Sequence, residues 1–242
     1  MRRPLVIIIM GPPGSGKGIQ AELLAEKLNL YYFETSKILE KKFEAEKRSS
    51  IKIRGKIYKF LDEKKLWQTG KLCSPPFVTY LVKEKIKELV KEGKNLVLSG
   101  SPRTLYEGKE VVPLLKKLYG LKNIKTILLE ITPEETIKRN SQRRICQLMR
   151  HPILATKKEF LALAHCPLDG SKLIKRKGLD TPETIKVRLK EYAERTFPLI
   201  EYFKKESLIV KKINGSPPPA IVFKDILKSL NKLNSIFYDR KF

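Results

Sequence analysis

The run Leu5-Val6-Ile7-Ile8-Ile9-Met10-Gly11-Pro12-Pro13-Gly14-Ser15-Gly16-Lys17-Gly18 sets the architecture. Its first six residues are continuously apolar, the pattern of a strand buried on both faces of a sheet. The next seven fit Gly-x-x-x-x-Gly-Lys. Gly11, Gly14, Ser15, Gly16, Lys17 and Gly18 form the expected cradle: the glycines let the backbone wrap a phosphate with its N–H groups inward, and Lys17 reaches the outer phosphates. Apolar residues at helical spacing follow (Leu23, Leu24, Leu28), so the loop opens a helix whose positive end faces the anion. A Gly/Pro turn with an exposed lysine is the bland alternative, and the position between a buried strand and a helix argues against it. Gly18 stands where most such loops carry a Ser or Thr hydroxyl for Mg²⁺, so a metal on the nucleotide must be held in another way.

Further along, strands are expected at 30–33, 95–99, 125–131 and 208–213. Helices are expected over 19–28, 36–46, 56–66, 75–92, 105–118, 133–145, from 182 onward, and over 220–233. Thr132-Pro133-Glu134-Glu135 and Asp180-Thr181-Pro182-Glu183 are helix starts, with Thr at the cap, Pro in the first turn and acids near the positive end. Strands alternating with helices predict an α/β fold: a parallel five-stranded sheet of the P-loop NTPase type, flanked by helices. Two stretches break the rhythm, 36–72 and 145–180. Both are read as insertions over the carboxyl edge of the sheet, where ligands bind in such folds.

The chain has 242 residues, 51 Lys and Arg against 26 Asp and Glu, and a formal net charge of +25. That excess argues against an acidic disordered tail and invites a polyanionic partner, whether nucleotide, nucleic acid or membrane surface. The apolar share of 41% suffices for a core. No run approaches the ~20 apolar residues that cross a bilayer, and the basic start resembles a signal peptide only superficially, since its apolar run is short and no cleavage site follows. Three cysteines (Cys73, Cys146, Cys166) give no disulfide framework, which points to a cytoplasmic setting.

The residues Gly11 to Gln20 resemble the loop of the adenylate kinase family of nucleoside monophosphate kinases. Four further segments support the resemblance in order: Gly70-Lys71-Leu72 with Leu81-Val82-Lys83-Glu84-Lys85-Ile86; Gly100-Ser101-Pro102-Arg103-Thr104, similar to the family's Gly-Phe-Pro-Arg-Thr; Arg139 to Arg144; and Glu183-Thr184-Ile185-Lys186-Val187-Arg188-Leu189. The likeness runs from residue 5 to about 230. It implies phosphoryl transfer from ATP to a nucleoside monophosphate, with Mg²⁺ on the ATP, by a monomeric enzyme. Residues 36–72 would be the NMP-binding insertion and 145–180 the lid. Lys17 would hold the ATP phosphates and Arg103 the acceptor phosphate. Arg143, Arg176 and Arg188 would surround the transferred group. Arg139 and Gly215 would flank the ATP base, and Thr35, Cys73, Arg103 and Glu107 would line the acceptor site.

Several positions depart from the family. Ile19 replaces a Thr. Lys37 and Glu40 stand where the family has Asp and Arg, and that Arg normally assists the acceptor phosphate; Arg48, Lys52 or Arg54 are the substitutes considered. Ser99 replaces an Asp that orders Mg²⁺ waters, with Glu130 as candidate replacement. Glu107 replaces an adenine-reading Gln. An ionised carboxylate only accepts hydrogen bonds, which suits guanine or cytosine better than adenine N1, so AMP, GMP, CMP and UMP all stand as acceptors, AMP first. The rival of another class is a P-loop nucleotide binder that uses its basic surface on RNA.

Cys146-x₄-His151 and Cys166-x₂-Asp169 lie either side of a 14-residue gap, a spacing suited to a structural tetrahedral Zn²⁺. His165 rivals His151, and two buried free cysteines beside an unrelated histidine is the other possibility. Charge is concentrated in the insertions. Residues 36–72 carry 12 Lys and Arg against 5 acids, and residues 143–180 carry 9 against 3.

Overall fold

A computed structural model describes residues 4–45, 49–149, 152–154, 160, 162–175 and 180–231. In chain order these form β1 (Val6–Met10), α1 (Lys17–Leu28), β2 (Tyr31–Glu34), α2 (Thr35–Ala45), β3 (Ser50–Ile53), β4 (Lys56–Lys59), α3 (Phe60–Gln68) and α4 (Pro75–Lys91). There follow β5 (Leu96–Ser99), α5 (Leu105–Tyr119), β6 (Ile124–Glu130), α6 (Pro133–Gln142), β7 (Arg143–Cys146), β8 (Pro152–Leu154) and β9 (Leu173–Ile174). The chain continues through α7 (Pro182–Glu191), a π turn (Tyr192–Thr196), α8 (Leu199–Lys205), β10 (Val210–Asn214) and α9 (Pro219–Asn231).

Among the described residues the central sheet has five strands in the order β10-β6-β1-β5-β2, all parallel. β1 is in the middle, and all five of its residues are buried. Its alternate side chains feed opposite layers, as the period-two geometry of a strand requires. Val6, Ile8 and Met10 pack with α4, α5 and α8, whereas Ile7 and Ile9 pack with α1 and α9. Burial on both faces explains why the sequence there is apolar without alternation. The predicted Thr caps form: Thr132 Oγ1 accepts from the Glu135 N–H at 3.2 Å, and Thr181 Oγ1 from the Thr184 N–H at 3.3 Å.

The fold corrects two boundaries. The expected helix over 56–66 is instead β4 followed by α3, because Arg54 and Gly55, both at positive φ (49° and 84°), turn the chain into a hairpin. β3 and β4 pair antiparallel there, with Ile53 and Tyr58 buried. The helix expected to reach residue 145 stops at Gln142; Arg143 is extended and begins a small antiparallel sheet, β8-β7-β9. Among the described residues no helix is long and apolar enough to cross a membrane.

Candidate active site

The carboxyl ends of β1, β2 and β5 open into one cavity, walled by the β1–α1 loop, α2, the β5–α5 loop, α6 and α7. Gly11, Gly14, Gly16, Lys17 and Gly18 line it. The loop is tight because Gly14, at φ 81°, leaves no room for a side chain: a Cβ there would fall 2.4 Å from Asn140 Nδ2. Ser15 is buried beneath the loop, its N–H donating to the Pro12 carbonyl at 3.2 Å.

Lys17 folds back over this loop. Its ammonium donates to the Gly11 and Pro12 carbonyls, each at 2.7 Å, and among the described residues no carboxylate pairs with it. Burial pushes its pKa well below the ordinary lysine value, and Arg103, Arg188 and Arg143 push it the same way. Four like charges therefore converge on one cavity, an arrangement that an incoming polyphosphate relieves.

Each arginine is held by a different element. Arg103 comes from the β5–α5 loop, which Thr196 clasps by donating its hydroxyl to the Arg103 carbonyl at 2.8 Å. Arg143 and Arg188 share one anchor, Asp180. Arg143 Nε lies 3.1 Å from Asp180 Oδ2, its Nη2 bonds Oδ1, and Arg188 Nη1 lies 3.6 Å from Oδ1. The Asp180 carboxylate is almost completely buried, so it orients two guanidiniums without offering itself to solvent. Sequence reading took Asp180 only as part of a helix start and missed this role; its signal was an acid directly before the capped helix that carries Arg188. Arg139 also lines the cavity. Its guanidinium reaches Glu135 (2.6 Å) and the carbonyls of Gly215 (2.8 Å) and Ser216 (2.7 Å). Gly215 is in turn tied to Glu130 through its N–H (2.8 Å) and abuts the Ser15 carbonyl.

Other expected residues are placed differently. Glu107 does not face the cavity. Its carboxylate accepts from the Ser101 hydroxyl (2.8 Å), the Arg103 N–H (3.2 Å) and the Thr104 hydroxyl (3.2 Å), as a cap on the start of α5. Burial pushes its pKa up, against those three donors. Thr35 and Cys73 are likewise buried behind the wall; the Cys73 thiol donates to the Glu63 carbonyl at 3.4 Å, and burial pushes its pKa up to about 12. Glu130, the candidate for the lost acid, pairs with Lys212 (3.0 Å) and is half exposed, off the cavity wall. Ser99 is on that wall, beside Tyr32, Glu22 and Glu34. Arg54 is fastened to α5, with Nη2 3.0 Å from both Glu110 oxygens. Arg48, Arg176 and His151 lie outside the described residues.

At the far end of the small sheet, Cys146 Sγ, Cys166 Sγ and an Asp169 oxygen lie within 4.8 Å of one another. Both cysteines are buried, and the Cys146 thiol donates to Asp169 at 3.0 Å. His165 is not in this group.

A phosphate loop at the amino end of a helix, facing a converging set of arginines on a parallel sheet, defines a P-loop phosphotransferase. The family model described as adenylate kinase matches residues 9–208. Adenylate kinases from Chlamydia trachomatis serovar D (31% identical, 95% of this chain and 91% of the relative), Petrotoga mobilis (32%, 93% and 99%) and Clostridium tetani (30%, 94% and 99%) are among its relatives. The chain belongs to the adenylate kinase family.

Proposed function

We propose that the chain transfers the terminal phosphoryl group of ATP, bound as its magnesium complex, to a nucleoside monophosphate, with AMP the first acceptor. The observation that carries this is the convergence of Lys17, Arg103, Arg143 and Arg188 on one cavity, three of them arginines on separate elements. Phosphoryl transfer asks little covalent chemistry of a protein; it asks for position and for cations where charge develops. The β1–α1 loop N–H groups and Lys17 hold the donor phosphates. Arg103 faces the acceptor, and Asp180 aims Arg143 and Arg188 at the group in flight. Arginine suits this role because its planar fork pairs two oxygens at once.

Residues 36–72 and 145–180 act as the two closing elements, excluding water once both substrates are bound. A nucleotide binder that acts on RNA would not need Lys17 and three arginines to meet in one cavity, so transfer is the favoured reading. The three free cysteines fit a reducing, cytoplasmic setting. In the lid, the donor set of two thiols and a carboxylate suits structural Zn²⁺. Cys146, Cys166 and Asp169 would hold it, with His151 as the fourth ligand. Bound there, the ion would cross-link a segment with little core of its own.

A coupled assay with AMP, GMP, CMP and UMP tests the reading. Turnover with AMP is expected to lead. Tight ATP binding with no transfer to any of the four would refute it.

A further inference from the structure

We infer that Lys37 is the second cation for the acceptor's phosphate, closing on it from α2 opposite Arg103; this rests on the transfer reading above. A phosphomonoester carries close to two charges near neutral pH, and Arg103 supplies only one. α2 forms one wall of the same cavity. α2 turns Ser36, Lys37 and Glu40 toward the cavity, and Lys37 is its one cation there among the described residues. Lys41 and Lys42 are off the wall, as is Lys52. Arg54 is committed to Glu110 and, at 3.3 Å, to the Tyr106 hydroxyl, outside the cavity. Lys71 also lines the cavity, at the other end of the insertion, but among the described residues no ion pair holds it there.

Lys37 is aimed. Its ammonium lies 3.2 Å from Glu34 Oε2 and 5.3 Å from the Tyr32 ring centroid. Glu34 Oε1 accepts from the Ser36 hydroxyl at 2.9 Å, so the carboxylate is fixed at both oxygens. Tyr32 lines the same wall, close enough to Glu34 and Ser99 for both to act on its hydroxyl. These contacts hold the ammonium at the carboxyl end of β2, on the wall of the cavity that Arg103 also lines. Glu34 also favours the charge on Arg103, so one carboxylate acts on both cations. The Lys37 side chain remains half exposed and can turn to a ligand. Residues 37 and 40 share a helix face. The acid-then-arginine order that the resemblance leads one to expect is reversed here, as Lys37 then Glu40, with the cation one turn nearer the strand ends.

Calorimetric titration of the wild type, Lys37→Met, Lys37→Arg and Arg54→Met with AMP, and separately with CMP, tests this without turnover. Loss of a charge-assisted contact to phosphate is expected to weaken Lys37→Met roughly 10- to 100-fold. The factor should be the same for both acceptors, since the phosphate is common to them. Lys37→Arg should recover to within about threefold of wild type, and ATP affinity should move less than about threefold. Unchanged AMP and CMP affinity in Lys37→Met would overturn the assignment. So would a loss carried by Arg54→Met instead, or a loss for one acceptor alone. Failure of the wild type to turn over any acceptor, with binding intact, would count against the transfer reading and leave this assignment standing or falling on the titrations.

Discussion

Two residues carry most of the argument at the smallest scale. Lys17 is buried, its ammonium contacts the neutral oxygens of Gly11, Pro12 and Ser15, and three arginines crowd it electrostatically. Lys17→Met should therefore fold normally and lose on the order of 10²- to 10³-fold in kcat, as removal of one preorganised donor usually does; circular dichroism and steady-state rates check both halves. Glu107 shows where sequence reading ended. The resemblance implied a contact with the acceptor base at this position. The direction of a side chain depends on neighbours, and Ser101, Arg103 and Thr104 offer it three donors. Its folded pKa is raised by burial, so its contribution favours folding below the unfolded carboxylate range and is lost as pH rises through the folded value. Glu107→Gln should accordingly gain stability relative to wild type at pH 8 and little at pH 4, read from urea midpoints. Acceptor preference should stay unchanged in the same variant.

At the scale of elements, the strand–loop–helix unit around β1 and α1 was legible because one apolar run and one glycine pattern fix it locally. The β3–β4 hairpin was not. Its lysines at 52, 56 and 59 alternate with apolar residues over too few positions to separate strand from helix, and the deciding signal, Arg54-Gly55 at positive φ, is only two residues long. The Asp180 anchor was hidden for a different reason: it joins β7 to the start of α7 across 37 residues of sequence. Asp180→Asn keeps the shape but removes the charge that two guanidiniums face. It should cost roughly 1–3 kcal/mol in stability and lower kcat with a smaller change in the KM for AMP. A fall in stability with kcat intact would reduce Asp180 to a structural residue. In the lid, Cys166→Ser should abolish stoichiometric zinc, measured by elemental analysis, and expose the 145–180 segment to protease. Equal zinc content in variant and wild type would remove the metal from the account.

The whole molecule accounts for part of the +25 charge that the sequence displays. The insertions are its densest carriers, and the cations they and the core place on the cavity wall include Lys17, Lys37, Lys71, Arg103, Arg139, Arg143 and Arg188. Such a field draws in nucleotides and is screened by salt, so KM for both substrates should climb with ionic strength between 20 and about 300 mM while kcat changes little. The parallel five-stranded sheet and its flanking helices followed from the alternation of strands and helices; the strand order did not. The meeting of Arg103, Arg143 and Arg188 did not, because residues far apart in sequence become neighbours only once the sheet is wound. That convergence, arranged to pass a phosphoryl group to an acceptor and not to water, is the central claim. Its most direct test follows the label from γ-³²P ATP in the presence of AMP. The account predicts that the label appears in ADP, with little inorganic phosphate, and that Arg103→Met largely abolishes this. Label released as inorganic phosphate, or retained in ATP, would contradict it.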